Sequence, residues 1–342
     1  MSAATPLLDR RIALATARLV APTRRTDPAE VARLRADVLA DLPAIDAAAR
    51  RWSGLGADLP ATTCTVLGRV GWVRANLAVL DGAFDPLAEK LRGDRRVAAR
   101  VLGVQLGALF GLLSTKVLGQ FVLPLAGPGS GRLVVVGPNL LDLADEHGGL
   151  AGDIRRTVLL HEVVHRLQFD AVGWLGDHLR GLLTRYLEHA RVDPGALLDA
   201  AGRLPEAVAR ARETGSVQPI VESVLTPEQA EVVAEAQGLM SLLEGHGNAA
   251  MFTGGGDVVD DPDAVRDALA SRREDVTTRV LTAVAGLELK RRQYAHGEAF
   301  VRAVVDRGGV ATLNRAWDAP GNLPTVEEID APDAWVARVT AG

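Results

Sequence analysis

Two histidines and a glutamate in the stretch LLHEVVHRLQF (159–169) have the types and spacing to bind a metal ion and use it. His161 and His165 are four residues apart, so on an α-helix they lie about 40° apart around the axis and both imidazoles can reach one ion. Glu162 lies about 100° further round, where its carboxylate can take a proton from a water on the ion. The pattern H-E-x-x-H therefore predicts a zinc site with His161 and His165 as ligands and Glu162 as general base.

The residues around this trio are largely apolar, which predicts a buried helix. Imidazoles and a carboxylate are costly to bury without partners, and a metal ion would satisfy them. The alternative is a structural or degenerate trio, because a chain with seven histidines can contain the pattern by chance. The apolar neighbours are Val158, Leu159, Leu160, Val163, Val164 and Leu167.

A catalytic zinc site of this type needs a third protein ligand. A histidine six residues after His165 is excluded, because that position is Ala171. The stretch GLMSLLEGHGNAAMF (238–252) places Glu244 on an otherwise apolar helix face, where a carboxylate needs a strong partner. His246 is the rival ligand; it lies about 200° from Glu244 around the helix, so we do not expect both to reach one ion. We favour Glu244.

Two glycines flank these candidates in the same predicted helix, Gly245 and Gly247. Glycine costs about 1 kcal/mol relative to alanine in a helix interior. Their use here indicates that another backbone or the substrate comes close.

The segment ELKRRQYAHGEAFVRAVV (288–305) offers groups that could stabilise the oxyanion formed when water attacks a carbonyl. Among Tyr294, Arg291 and His296 we choose Tyr294; the alternative is a core tyrosine whose hydroxyl is bonded elsewhere. Asp170, just after the H-E-x-x-H motif, is a candidate for orienting a ligand imidazole, or a simple C-terminal helix residue.

The composition is that of a soluble globular protein, with 48% hydrophobic and 24% charged residues among 342. A net charge of -5 and scattered Lys and Arg argue against a nucleic-acid partner. The single cysteine, Cys64, excludes a disulfide framework and a cysteine zinc site within the chain. The start lacks a signal-peptide pattern and the apolar stretch 101–115 is predicted to be a buried helix, so we expect a cytoplasmic protein with no membrane partner.

Helical signals dominate the rest of the chain, with strand signals at 131–141 and 118–125, just before the motif helix. We predict that these two strands form a hairpin, and that 131–137 could pair with an extended peptide by edge addition or be purely structural. The Gly-rich segment 251–263 is predicted to be a surface loop. Capping boxes are predicted at Asp27, Thr226 and Thr325, and further helices over 62–92, 96–120, 151–169, 176–190, 263–283 and 287–306.

The predicted fold class is mostly α (α+β), with a small β-sheet or hairpin before the H-E-x-x-H helix. We expect an N-terminal helical lobe over residues 1–95 and a catalytic domain over 96–342, with one continuous domain as the alternative.

Several stretches resemble a family of actinobacterial zincin-like hydrolases, often described as zinc-dependent metalloproteases or associated with deazaflavin-coenzyme biosynthesis. The resemblance implies a zincin-type core within 96–342 and a zinc ion bound through the H-E-x-x-H helix, and it is consistent with Glu244 as third ligand. The segment after Glu244, GHGNAAMFTGGG, has small residues where the resemblance leads us to expect bulkier ones, which leaves the pocket shape open. The matching stretches, which cover most of the chain, are 71–87, 114–121, 161–179, 240–251, 289–305 and 322–339.

These observations predict a zinc-dependent metallopeptidase that acts on a peptide or protein substrate. A zinc-stabilised binding or maturation factor without proteolysis is one alternative, and an amidase acting on a small molecule is another.

Overall fold

The computed structural model describes residues 7–21, 24–80, 94–123, 131–189, 202, 206, 209–210, 225–254, 256–271 and 287–341, with the backbone alone described at 254, 271 and 287–295. Its elements confirm the predicted class of a mostly helical fold with a small sheet. The helices are α1 (Arg10–Val20), α2 (Pro28–Ser53), α3 (Arg69–Val79), α4 (Arg95–Leu113), α5 (Gly137–Glu146), α6 (Ala151–Ala171), α7 (Leu175–Glu188), α8 (Pro227–Ala249), α9 (Pro262–Ser271), α10 (Leu287–Asn314), α11 (Val326–Asp330) and α12 (Pro332–Thr340).

Local capping chemistry sets the start of three helices, as predicted. Asp27, Thr226 and Thr325 each accept a hydrogen bond from a backbone N–H of the first turn, and the glutamate or glutamine three residues later reaches back to the cap. These bonds satisfy N–H groups that have no partner within the helix.

In the described part of the chain the sheet has three strands, β1 (Cys64–Leu67), β2 (Gly119–Val122) and β3 (Arg132–Val136), in the order β1-β3-β2. The predicted hairpin is confirmed, because β2 and β3 pair antiparallel. Strand β1 pairs with β3 in parallel, so the prediction of a helix over 62–92 is wrong for its first residues. Edge addition of a peptide to 131–137 is also wrong, because β3 is the central strand and both its edges are occupied.

Helix α6, which carries the H-E-x-x-H motif, lies in the centre of the fold. Its apolar residues pack with α2 and with the strands in one buried cluster that contains Leu42, Ile45, Leu133, Val163 and Val164. Helices α8, α10, α11 and α12 share a second cluster around Phe300 and Trp335. The division of the chain at residue 95 stays a prediction.

Helices α8 and α10 cross at a pair of glycines. A Cβ atom at Gly245 would overlap the backbone of Gly297, and a Cβ atom at Gly297 would overlap the carbonyl of Ser241. The close approach of a second backbone predicted for the α8 glycines is therefore found at Gly245.

Helix α4 is buried on one side only, whereas the stretch 101–115 was expected to be a buried helix. Its Gly107 packs against the backbone of α1, but the side chains of Val97, Val101 and Val104 are about half exposed, at 54%, 52% and 49%. Within the described part of the chain, α4 is the helix long and apolar enough to cross a bilayer by length and composition. The cytoplasmic location and the absence of a membrane partner stay predictions.

The segment predicted as a surface loop at 251–263 is attached to the fold. Residues Ala250–Gly254 continue α8 as a π-helical turn, and Met251 and Val259 are buried. The carboxylate of Asp153, in the first turn of α6, accepts hydrogen bonds from the backbone N–H groups of Asp260 and Asp261.

Candidate metal centre

The two histidines of the motif point their Nε2 atoms at each other from adjacent turns of α6. These atoms of His161 and His165 lie 3.0 Å apart, and the two rings are nearly perpendicular. The helical spacing of four residues therefore brings both Nε2 atoms to one point, as expected from the sequence.

Glu244 on α8 brings its carboxylate to the same point. Its Oε2 atom lies 3.4 Å from Nε2 of His161 and 3.7 Å from Nε2 of His165. Three ligands bound tetrahedrally to zinc, with bonds of about 2.0–2.2 Å, have their donor atoms about 3.3–3.5 Å apart. The separations of 3.0, 3.4 and 3.7 Å lie within about 0.3 Å of that range, so the three partly buried donors fit a zinc ion by type and need only a small adjustment of their side chains.

The charges of this cluster are strongly coupled. Burial lowers the pKa of His165, but its contact with Glu244 and the charges of Glu244 and Glu162 outweigh burial and raise that pKa to about 9. Burial raises the pKa of Glu244, but its contacts with His161 and His165 outweigh burial and hold the pKa well below its usual range. The metal-free site is thus a carboxylate that holds a proton on a neighbouring imidazole, and a cation of higher charge can replace that proton.

Glu162 is buried beside this cluster and is held from the sheet. Its Oε2 atom accepts a hydrogen bond of 2.8 Å from the backbone N–H of Phe121 on β2. The neighbouring Gly119 leaves the space, since a Cβ atom there would lie 2.7 Å from Cγ of Glu162. Burial raises the pKa of Glu162, against the charges of His161 and His165. A carboxylate with a raised pKa and a fixed position is suited to taking and returning a proton.

His246 lies outside the set of donors, although it is only two residues from Glu244. Its ring is completely buried, next to Trp52 and Trp317, and its Nδ1 atom lies 2.8 Å from Nε2 of Gln168. Burial, with the charge of His165, lowers the pKa of His246 to about 3. The geometry therefore favours Glu244 over His246 as the third ligand.

Asp170 does not orient a ligand imidazole. Its carboxylate pairs with Arg166, one turn earlier on α6, at 3.1 Å. The side chain that contacts a ligand ring is instead Gln168, whose Oε1 atom lies 2.8 Å from Nδ1 of His165. Sequence reasoning missed Gln168; its position three residues after His165, on the same helix face, was the available signal.

Gly247 brings the backbone of α8 against the ring of His161. A Cβ atom at this position would lie 2.7 Å from both Cε1 and Nδ1 of that ring. The close approach predicted from this glycine is therefore found where α8 meets the His161 ring on α6.

Three other residues considered in the sequence, Tyr294, His296 and Cys64, are not among the three converging donors. The side chain of Tyr294 lies outside the described residues, so its role at an oxyanion stays a prediction. His296 is exposed and lies 2.6 Å from a carboxylate oxygen of Asp330. Burial and the charge of Glu162 raise the pKa of Cys64 to about 12, which keeps it a neutral thiol near the site.

A model of the zincin-like metallopeptidase family matches residues 8–336. The chain is similar to a crystal structure from Chloroflexus aurantiacus described as a "putative hydrolase with a novel fold", with 28% identity and a TM-score of 0.71 over 98% of this chain and 99% of that chain. No curated protein matches. Since the family model spans nearly the whole chain, the protein belongs to the zincin-like metallopeptidase family.

Proposed function

We propose that the protein is a zinc-dependent hydrolase that cleaves peptide bonds, with His161, His165 and Glu244 as zinc ligands and Glu162 as general base. The observation that carries this proposal is the convergence of three donor atoms from two helices, at 3.0, 3.4 and 3.7 Å, beside a buried carboxylate. Zinc bound there would supply a Lewis acid that polarises a carbonyl and lowers the pKa of a water.

The chain's own residues supply the proton transfer. Glu162 takes a proton from the attacking water and gives it to the departing amine, and the N–H of Phe121 holds its second oxygen during both steps. Because burial raises the pKa of Glu162, its protonated form is accessible enough to return the proton.

A peptide is the substrate that the sheet favours. Strand β2 ends the sheet on the side of Glu162, and its Phe121 N–H points at the carboxylate rather than at β3. The Phe121 N–H is occupied by Glu162, so an extended chain would have to pair with other backbone groups on the outer edge of β2, where it would pass next to Glu162.

The test uses zinc-loaded protein, a library of peptides, and Glu162→Gln as the matched variant. We expect Glu162→Gln to keep stoichiometric zinc by elemental analysis and to lose about 10²- to 10⁴-fold in kcat/KM. Equal turnover in the variant would exclude Glu162 as the base.

The substrates that the zinc-loaded protein cleaves distinguish a peptidase from an amidase and from a binding factor. Cleavage of small amides but not of peptides would replace the peptidase with an amidase. Stoichiometric zinc with no hydrolysis of either substrate class would overturn the hydrolase and leave a zinc-stabilised binding factor.

A further inference from the structure

We propose that Gln168 and His246 form a positioning relay that fixes the ring of His165 in the orientation and tautomer a metal ligand needs. The relay runs from His165 Nδ1 through the amide of Gln168 to His246 Nδ1, with both separations 2.8 Å. It rests on the proposed zinc site and assigns roles to two residues that bind neither metal nor substrate.

The direction of each hydrogen bond follows from one backbone carbonyl. The amide nitrogen of Gln168 lies 3.3 Å from the carbonyl oxygen of Leu243, which can only accept. The NH₂ end of the amide must therefore face Leu243 and His246, and the oxygen must face His165. His165 then donates its Nδ1–H to Gln168, which leaves the lone pair on Nε2 for the ion.

His246 completes the fixation from α8. Its Nδ1 atom accepts the second N–H of the Gln168 amide, so the ring carries its proton on Nε2, and that atom is buried with no partner among the described residues. A flipped amide would place NH₂ against Nδ1 of His165 and turn the lone pair of His165 away from the site. The Leu243 carbonyl, which can only accept, opposes this flip, and the nearby Nδ1 atom of His246 offers the amide NH₂ its second acceptor.

The relay also joins the two helices that carry ligands. Gln168 is on α6 with His165, whereas Leu243 and His246 flank Glu244 on α8. The same bonds that orient one ligand therefore hold the helix of the third ligand in register with it. Loss of hydrogen-bond partners of this kind typically lowers metal affinity about 10- to 100-fold.

The first experiment compares Gln168→Met with Gln105→Met, a matched change at an exposed glutamine on α4. Zinc affinity is measured by competition with a chromophoric chelator, and the Nδ1–H of His165 is followed by proton–nitrogen NMR of histidine-labelled protein. We expect Gln168→Met to weaken zinc about 10- to 100-fold and to lose the protected Nδ1–H signal, and Gln105→Met to do neither. Wild-type affinity in Gln168→Met would overturn the proposal.

The NMR signal separates this proposal from the proposed function. The Nδ1–H bond to Gln168 does not need zinc, so the signal is expected in metal-free protein as well. Wild-type protein that binds no zinc but shows the signal would refute the zinc hydrolase and leave the relay intact. Absence of the signal from folded wild-type protein would refute the relay.

A second pair of variants tests the role of His246 in the relay even if Gln168→Met fails to fold. His246→Asn keeps an acceptor near the Nδ1 position without the ring, and His246→Phe keeps a ring against Trp52 and Trp317 without an acceptor. If His246 acts as the acceptor for the Gln168 amide, His246→Asn retains zinc affinity and the Nδ1–H signal of His165 better than His246→Phe. The reverse order would show that His246 acts through packing and would overturn its part in the relay.

Discussion

Replacing Gly247 by alanine is expected to weaken zinc binding without destabilising the metal-free protein. The new Cβ atom would lie 2.7 Å from two ring atoms of His161. Ordinary contact between such atoms is about 3.5 Å or more, so the ring must move by about 0.8 Å. Metal–ligand distances tolerate only about 0.2 Å, so a ring displaced in this way binds poorly. We expect a loss of about 10- to 100-fold in zinc affinity, or about 1.4–2.7 kcal/mol.

The metal-free protein is expected to respond in the opposite direction. Without an ion the ring of His161 can turn away from the new methyl group, because His165 still pairs with the Glu244 carboxylate when the contact of His161 is lost. Alanine is also favoured over glycine in a helix by about 1 kcal/mol. The free energy of unfolding in chelator should therefore stay the same or rise by up to about 1 kcal/mol. Urea denaturation with and without zinc, together with chelator competition, measures both quantities.

Gly181 provides the matched control, because it is an exposed helical glycine with no atom within 4 Å of its Cβ position. Gly181→Ala should raise stability by up to about 1 kcal/mol in both states and leave zinc affinity unchanged. Wild-type zinc affinity in Gly247→Ala would show that the ring of His161 is not held against α8 when metal is bound. A loss of several kcal/mol in the metal-free state would show that the ring has no freedom to turn.

Three further predictions concern charge, the base and the third ligand. The pKa of His165 is raised from 6.5 to about 9, so its stabilising effect is complete below about pH 6.5 and is lost as the pH rises through 9. The free energy of unfolding of the metal-free protein, measured by urea titration, should thus fall by up to about 3 kcal/mol between pH 7 and 10. Zinc affinity should rise over the same range. A free energy of unfolding that does not change with pH would contradict the pairing of His165 with Glu244. Gly119→Ala should displace the Glu162 carboxylate and lower kcat, measured in a steady-state assay, by more than about 10-fold with zinc content unchanged. Full activity in this variant would refute the close packing of residue 119 against Glu162. Zinc at 100 times its Kd should raise the free energy of unfolding by about 2.7 kcal/mol in the wild type; Glu244→Ala should lose most of that gain, and an equal gain excludes this ligand.

Local patterns in the sequence predict the parts of the fold that local chemistry controls. The capping boxes at Asp27, Thr226 and Thr325 define helix starts through bonds between residues three apart, so they are readable without tertiary information. The same holds for His161 and His165, whose approach depends only on the helical repeat.

Strand β1 could not be predicted from its local sequence pattern. Cys64–Leu67 is four residues long and lies next to a helix that begins at Arg69, so its apolar pattern merges with that of the helix. Its extended conformation depends on pairing with β3, where Cys64 lies opposite Leu133. Pairing over that sequence separation is decided by tertiary packing and leaves no local signal.

The residues of the candidate site also fall into those that local sequence predicts and those that depend on tertiary packing. Glu244 could be predicted because a carboxylate on an apolar helix face needs a partner wherever the helix lies. The support of Glu162 by the N–H of Phe121, and of His165 by Gln168 rather than Asp170, depends on how α6 meets β2 and α8. Only the three-dimensional arrangement of those elements selects among polar groups that the sequence makes equally available.

The glycine crossing of α8 and α10 has a consequence for the size of ion that the protein accepts. A cation larger than zinc needs longer bonds and therefore a wider separation between the donors on α6 and Glu244 on α8. Helix α8 cannot withdraw to provide it, because the backbone of Gly245 already lies against that of Gly297. We therefore expect the glycine pair to disfavour ions larger than zinc at the proposed site, even though neither residue has a side chain to offer the metal.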